Sequence, residues 1–545
     1  MMTIRAVAFA LALVTGAAAC SRPISTAPVP APAPGTVVPA RTVERAALPP
    51  RNSALPAVPD VRGPVQINVV YPKPDQLIQS RDSNFIFGSV GSGDAGLKIN
   101  GVLVPVWPNG AFFGWLPLPP QQAPFYDIAA TNGLDTARLS LPIKLLPPPV
   151  RDTIRRDTLA VDTTQRTAPP VQYALVAPAS NANDTDRVAI ARPAPGDGQQ
   201  YKWFLFPNTP VKLAGSKGDF VKAELDSGAP VWLQKTDVAV QPTGFLPPER
   251  IAGGATRLES APGWVDLVVP TNSPPPYLAE ENGNSISVLL YGTRAESPVA
   301  SLPMPADKYV AGVAVTNEAG RVRYTINLNR APYGYLAMYQ NGAFIFRVRR
   351  PPVIGDASNP LRGLTIAVDP GHPPAGTTGP TSFYEGEAVL GVGLKLRDLL
   401  VQKGVNVVMT RTTMDPVDLG ARPIISRRAN AQAFISLHLD AEPDGVNPMT
   451  HAATACYYFW PHSVSLAQQT IANLGPAMGT PILGVKYQNL AVARGSWMPA
   501  ILCEGGFLIL PDVEAAFRTP QYQERMARGI LAGLESYFAS LARAQ

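Results

Sequence analysis

The feature that most constrains this 545-residue chain is a change of texture at Leu361, after which apolar strands and helical segments alternate to the C-terminus. Leu364-Thr-Ile-Ala-Val368 reads as a largely apolar strand. Glu387 to Gln402 sets Val389, Leu390, Val392, Leu394, Leu396, Leu399 and Leu400 in apolar positions at helical spacing, and Gly404 stops that helix. Val405 to Met409 is the next strand. Segments at Ala421–Asn430, Ala433–Leu437, Thr454–Phe459, Ser463–Met478, Asn489–Ala493 and Ala500–Cys503 continue the alternation, and a closing helix runs from Gln521 to Ala542. This pattern predicts an α/β domain over residues 361–545, with a largely parallel sheet flanked by helices. Ligands of such sheets bind beyond the carboxyl ends of the strands.

Four polar residues fall at those ends. Asp369-Pro-Gly-His372 closes the first strand, His438 follows Ala433–Leu437, and Glu504 follows Ala500–Cys503. Glu385 stands where the loop after the first strand enters its helix. The whole chain has only 4 histidines, and two of them occupy these positions. Two imidazoles and one carboxylate make a catalytic zinc set with a fourth position for water. Zinc lowers the pKa of such a water to about 7 and polarises a carbonyl. A further carboxylate, Glu504, is placed to take the water's proton and pass it to a leaving nitrogen. Taken singly these are weak signals, because a histidine after a strand is commonly structural and Glu504 could cap a helix. Their coincidence in order favours the metal site.

Four blocks sharpen the reading: Asp369-Pro-Gly-His372, Glu385-Gly-Glu-Ala-Val-Leu390, Ser436-Leu-His-Leu-Asp-Ala441 and Cys503-Glu-Gly-Gly-Phe-Leu508. With them, the segment from Leu364 to Phe538 resembles the catalytic domain of zinc-dependent N-acetylmuramoyl-L-alanine amidases, in family order over about a third of the chain. The resemblance implies Zn2+ held by His372, Glu385 and His438, Glu504 as the catalytic carboxylate, and peptidoglycan as the substrate. Glu387 falls slightly late for the second ligand. Pro373-Pro374, Gly386-Glu387 and Leu439-Asp440 depart from the family pattern and alter the floor and rim of the cleft. Some members carry a long regulatory helix after the second histidine. Here a short Pro/Gly/Asn-rich stretch separates Ala441 from Thr454, and a loop is expected. His451 in that loop is expected to be exposed, and His462 to be a surface or capping residue. Arg494, following an apolar strand toward the metal edge, is a candidate contact for a peptide carboxylate; a surface ion pair is the alternative.

The upstream half reads differently. Residues 1–20 have the charged, apolar and small-residue regions of a secretory signal. Ala17-Ala18-Ala19 before Cys20 fits either a lipoprotein signal, with Cys20 lipidated, or an ordinary A-x-A cleavage site. Residues 21–63 and 147–170 are linkers; the 60 prolines of the chain, about twice the usual share, fit such segments. The first linker has no apolar periodicity with which to bury a core. Three small β domains are expected between them and the catalytic region. Residues 64–146, with Asn100-Gly101 between two apolar triplets, read as an immunoglobulin-like sandwich. Residues 171–245 resemble bacterial SH3-like domains through Thr209-Pro-Val-Lys-Leu, Gly218-Asp-Phe-Val-Lys-Ala and Ala229-Pro-Val-Trp-Leu. Residues 255–351 resemble the AMIN-type β domain. All three could be wall binders or spacers. Cys456 and Cys503 lie in strand segments, and buried free thiols are favoured over a disulfide.

These expectations describe an exported enzyme of the periplasm or cell envelope, attached to a membrane if Cys20 is lipidated. The net charge of +6 forms no basic run, so a nucleic-acid partner has no support. A protein activator stays open. The competing functions are hydrolysis of another envelope amide, or a catalytically idle wall-binding scaffold.

Overall fold

The computed structural model describes residues 43–147, 171–177, 188–196, 201–296, 301–302 and 307–545. The expected signal, Cys20, the first half of the first linker and nearly all of the second lie outside them.

The C-terminal region, residues 361–545, forms one six-stranded sheet. Its strands are β1 (Thr365–Pro370), β2 (Asn406–Met409), β3 (Ala433–Asp440), β4 (Thr454–Tyr458), β5 (Ile482–Tyr487) and β6 (Ala500–Phe507), in the order β2-β1-β3-β6-β4-β5. The helices are α1 (Glu385–Gln402), α2 (Ala421–Arg428), α3 (Pro448–His451), α4 (Val464–Met478), α5 (Ala491–Arg494), α6 (Pro511–Phe517) and α7 (Pro520–Arg543). The apolar stripe of α1 (Ala388, Val389, Val392, Leu396, Leu400) is buried against one face of the sheet, together with α4 and α7. Gly404, at φ +78°, ends α1 as its lack of a side chain permits. The opposite face carries Ala367, Phe434 and Leu502 beneath Trp497 and Met498.

The sheet is mixed, which corrects the largely parallel expectation. β2, β1, β3 and β6 are parallel neighbours, but β4 runs antiparallel to β6, and β5 is parallel to β4. The cause lies in the connections. Only a short loop with the four-residue α3 joins β3 to β4, too little for the crossover that a parallel strand requires. The helix α4 supplies such a crossover between β4 and β5.

Upstream, every sheet but two short two-stranded pairs is antiparallel. Strands Asn68–Tyr71, Ser83–Ser89 and Ala111–Pro117 form one sheet, and Gly96–Ile99, Val102–Val104, Phe125–Thr131 and Thr136–Pro142 form a second. Asn100 and Gly101 make the expected tight turn, at φ +49° and +80°, with Ile99 paired to Val102. Five strands between Gln172 and Val240 form another sheet. The hairpin of Ala189–Ala191 and Trp203–Leu205 leaves it to extend a six-stranded sheet, through the pair Phe204 and Tyr277. Alternation explains the sharing: Leu205 points into one apolar cluster, while Phe204 and Phe206 point into the next. Residues 43–63 contain no helix or strand, yet they are not a free tether. Leu55 is buried in the core of the C-terminal sheet, and Asn52 donates to the Gly479 carbonyl at 2.9 Å. They borrow apolar surface from their neighbours instead of building their own.

Candidate metal centre

The site sits at the carboxyl edge of β1, β3 and β6. β1 delivers Asp369, whose buried carboxylate accepts from Thr410 Oγ1 (2.6 Å), Ser436 Oγ (2.7 Å) and Arg422 (2.8 Å). Arg411 donates to the Pro370, Gly371 and Gly386 carbonyls at 2.6–2.8 Å. Arg422 also reaches the Pro370 and Pro373 carbonyls, each at 2.9 Å. Two buried arginines thus tie the turn after β1 to the start of α1. They hold His372 at φ +54°, a backbone conformation costly for a residue with a side chain. Gly371 is required beside it, because a Cβ there would lie 2.3 Å from the His438 ring.

Glu385 is the first residue of α1, two residues earlier than the periodicity predicted. Its Oε1 lies 3.2 Å from His372 Nε2 and 3.1 Å from His438 Nδ1. The Leu439 amide donates to the same oxygen at 3.0 Å, and the Thr377 amide to Oε2 at 2.9 Å. The two imidazoles stand nearly perpendicular, with centroids 4.8 Å apart. Burial would raise the Glu385 carboxyl, but the hydrogen bonds and charges of His372 and His438 outweigh it and hold the group well below the usual carboxylate range. The Glu385 interactions in turn outweigh burial at His372 and raise that imidazole.

The sequence singled out this trio, and the structure brings it together as a candidate metal site with ligand atoms within 4.8 Å of one another. Two ligands about 2.1 Å from a tetrahedral zinc stand roughly 3.4 Å apart. The separations of 3.1 and 3.2 Å are close to that figure, so the donor set fits.

Glu504 lies on β6 in register with His438 on β3. It is buried, and among the described residues its Oε2 has no hydrogen-bond partner. Burial pushes its pKa well up, and the charges of Asp440 and Glu385 push it further. Asp440, half-buried, is raised to about 6 chiefly by desolvation. Tyr457 is raised as well, first by burial and then by the charges of Asp440 and Glu504. A partnerless buried carboxyl beside a trio of metal-ligand type is equipped to hold or release a proton.

Other sequence candidates fall elsewhere. The segment before Arg494 is the short helix α5, not a strand. Because α5 leads into the first residue of β6, Arg494 stands beyond the amino end of that strand, on the edge opposite His438. It donates to Asn489 Oδ1 at 2.5 Å. This corrects the expected contact with a peptide at the metal edge. His462 is not at the surface: its side chain is fully buried, 2.7 Å from Glu281, and its ring packs against Tyr335. His451 is exposed, as expected. Cys456 and Cys503 are buried free thiols in paired positions, with sulfurs 3.4 Å apart. Arg411, Arg422 and the Thr377 amide escaped the sequence reading; Arg411, two residues after β2, was the one available signal.

Residues 366–536 match the Amidase_3 family model, described as N-acetylmuramoyl-L-alanine amidase. A probable cell wall amidase LytH of Staphylococcus epidermidis is 32% identical over 189 residues, covering 34% of this chain and 62% of the relative. A probable cell wall amidase LytH of Staphylococcus aureus is 29% identical over 187 residues, covering 33% of this chain and 61% of the relative. The chain therefore spans less than two thirds of the length of these curated relatives. The crystal structure of an N-acetylmuramoyl-L-alanine amidase from Clostridium difficile 630 is 32% identical, covering 32% of this chain and 96% of its own, with a TM-score of 0.30.

Proposed function

We propose that this chain, whose C-terminal region is an Amidase_3 domain, hydrolyses the amide between N-acetylmuramic acid and the L-alanine that begins the stem peptide of peptidoglycan. The observation that carries the reading is the trio of His372, Glu385 and His438 with the partnerless Glu504 in register beside it. The residues suit zinc, with those three as its holders. Zinc bound there would supply a Lewis acid that acidifies water and polarises the scissile carbonyl.

The chain's own residues do the rest. Glu504, raised by burial, is suited to accept the attacking water's proton on its free Oε2 and return it to the alanine nitrogen as the bond breaks. The Thr377 and Leu439 amides fix the Glu385 carboxylate, and Arg411 with Arg422 fixes the His372 turn. Positioning of this kind supplies catalysis by removing reorganisation from the reacting geometry.

The wider setting is proposed on the same footing. The chain would act in the cell envelope, in wall remodelling or cell separation, with the upstream β domains as its accessory modules. Among the described residues no helix is long and apolar enough to cross a membrane; attachment would come through Cys20. The test is purified protein with zinc on peptidoglycan, with products read by mass spectrometry. Stem peptides beginning at alanine are the expected products, and cleavage at any other amide, or none, overturns the reading.

A further inference from the structure

The sandwich of residues 68–145 does not stand apart from the site. Its face of Tyr71, Phe85 and Phe87 meets the catalytic loops across a cleft of about 450 Å³. The opposing wall includes Thr377, Glu442 and Ile509. Thr377 is the residue whose amide holds Glu385, and Glu442 lies two residues beyond β3, the strand of His438. The cleft is therefore continuous with the metal edge.

One carboxylate locks the two walls together. Asp444 accepts from Tyr71 Oη, from the Gln79 amide at 2.6 Å and from Asn84 Nδ2 at 2.8 Å. Asn84 Oδ1 in return accepts from the Gly445 amide at 3.1 Å. With these donors in place, Asp444 is satisfied. Two charges of the cleft are not. Lys73 is exposed at its rim, and neither its ammonium nor the Glu442 carboxylate makes an ion pair or hydrogen bond among the described residues.

We propose that this cleft binds the stem peptide, with a peptide carboxylate on Lys73. The proposal rests on the amidase reading above. The walls are mostly apolar, with Asp444 already satisfied, and carry one unpaired ammonium and one unpaired carboxylate, which suits a short peptide of small side chains carrying charges of both signs. The glycan arm fits less well, because neutral N-acetylated sugars bring nothing to either charge. The sandwich then acts as half of a substrate site, and Lys73 as a residue that sets specificity.

Isothermal calorimetry on the zinc-loaded full chain tests this with a product, which cannot be cleaved. The probes are a synthetic stem tripeptide beginning with L-alanine, the same peptide with its carboxylates amidated, and a peptide-free glycan fragment. Lys73→Glu should weaken the acidic tripeptide roughly tenfold by replacing attraction with repulsion. It should leave the amidated peptide unchanged, while Lys144→Glu, on the same sandwich outside the cleft, changes neither. On peptidoglycan, Lys73→Glu should raise KM with kcat retained. Equal tripeptide affinity in wild type and Lys73→Glu overturns the proposal, as does a glycan fragment that alone responds to the substitution. Failure of the amidase reading is separately visible, as wild-type protein that releases no stem peptides from peptidoglycan.

Discussion

The two edges of the C-terminal sheet are built from opposite chemistry. At the carboxyl edge His372, Glu385, His438, Asp440 and Glu504 crowd together, and burial raises the last two carboxyls out of their ordinary range. At the amino edge the upstream β sheet that carries Trp264 and Arg349 docks with aromatic and backbone partners. Tyr333 Oη donates to the Gln432 carbonyl at 2.6 Å, and Arg349 donates to the Asn430 carbonyl at 2.9 Å while lying over Trp497 at 4.5 Å. Trp264 packs on the same indole, with centroids 6.2 Å apart. One edge keeps polar groups that await a partner from outside; the other closes on groups of this chain. Unmet electrostatic demand marks where chemistry can occur, and it is maintained at a cost in stability.

The carboxyl edge should be the more fragile in function. Glu385→Ala removes the carboxylate that both imidazoles share. Zinc content, measured by elemental analysis, should fall from one per chain to near zero, and hydrolysis by at least about a hundredfold. Retained zinc would remove Glu385 from the ligand set. Glu504→Gln should separate the two quantities, slowing hydrolysis by about 10²–10⁴ with zinc retained. It should also stabilise the metal-free protein. A carboxyl whose folded pKa is raised costs stability as pH climbs above its unfolded value of about 4.3. The glutamine protein should therefore melt higher than wild type at pH 7, with the gap closing toward pH 4. Undiminished hydrolysis would take Glu504 out of the mechanism.

The amino edge should show the reverse. Trp497 is buried between Trp264 and Arg349. Trp497→Ala should cost about 3–5 kcal/mol by denaturant melts, because it leaves a cavity and uncovers a buried cation. Where the protein is still folded, zinc content and kcat should be unchanged. A fall in kcat under those conditions would show that the edges are coupled and that the division between them is too sharp.

The same division explains what could be read in advance. His372, His438 and Glu504 were legible because each stands at or just beyond the carboxyl end of an apolar strand segment, and Glu385 because it opens the helix after the first strand; the parallel register of β3 and β6 then sets His438 beside Glu504. β5 was missed because it is an exposed edge strand with little apolar alternation and Gly484 in its middle. α5 was taken for a strand because a four-residue apolar run has no period to measure. That error carried Arg494 to the wrong edge. The direction of β4 was readable in principle from the short loop before it. The latch at Asp444 was not, since its partners lie more than 350 residues earlier and no local pattern marks them.

The smallest expected effect probes a paired charge on the upstream side. Asp307 Oδ1 accepts from Arg350 at 2.8 Å and from the Tyr309 and Val310 amides at 2.7 and 2.9 Å. The Arg350 hydrogen bonds, reinforced by both amides, outweigh burial and hold the Asp307 carboxyl well below the usual range. A depressed folded pKa contributes stability that is complete above the unfolded value of about 3.9 and is lost as pH falls through the folded one. Asp307→Asn should therefore lower stability by about 1–2 kcal/mol at pH 7, with the deficit shrinking as the pH drops below 4. Hydrolysis and zinc content should not respond at any pH at which both proteins are folded. The sign is opposite to that of Glu504→Gln, where loss of the carboxylate raises stability and slows hydrolysis. If Asp307→Asn instead changes hydrolysis, the upstream sheets bear on the metal edge through the sheet between them, and paired charge on that side would have to be counted as part of the site.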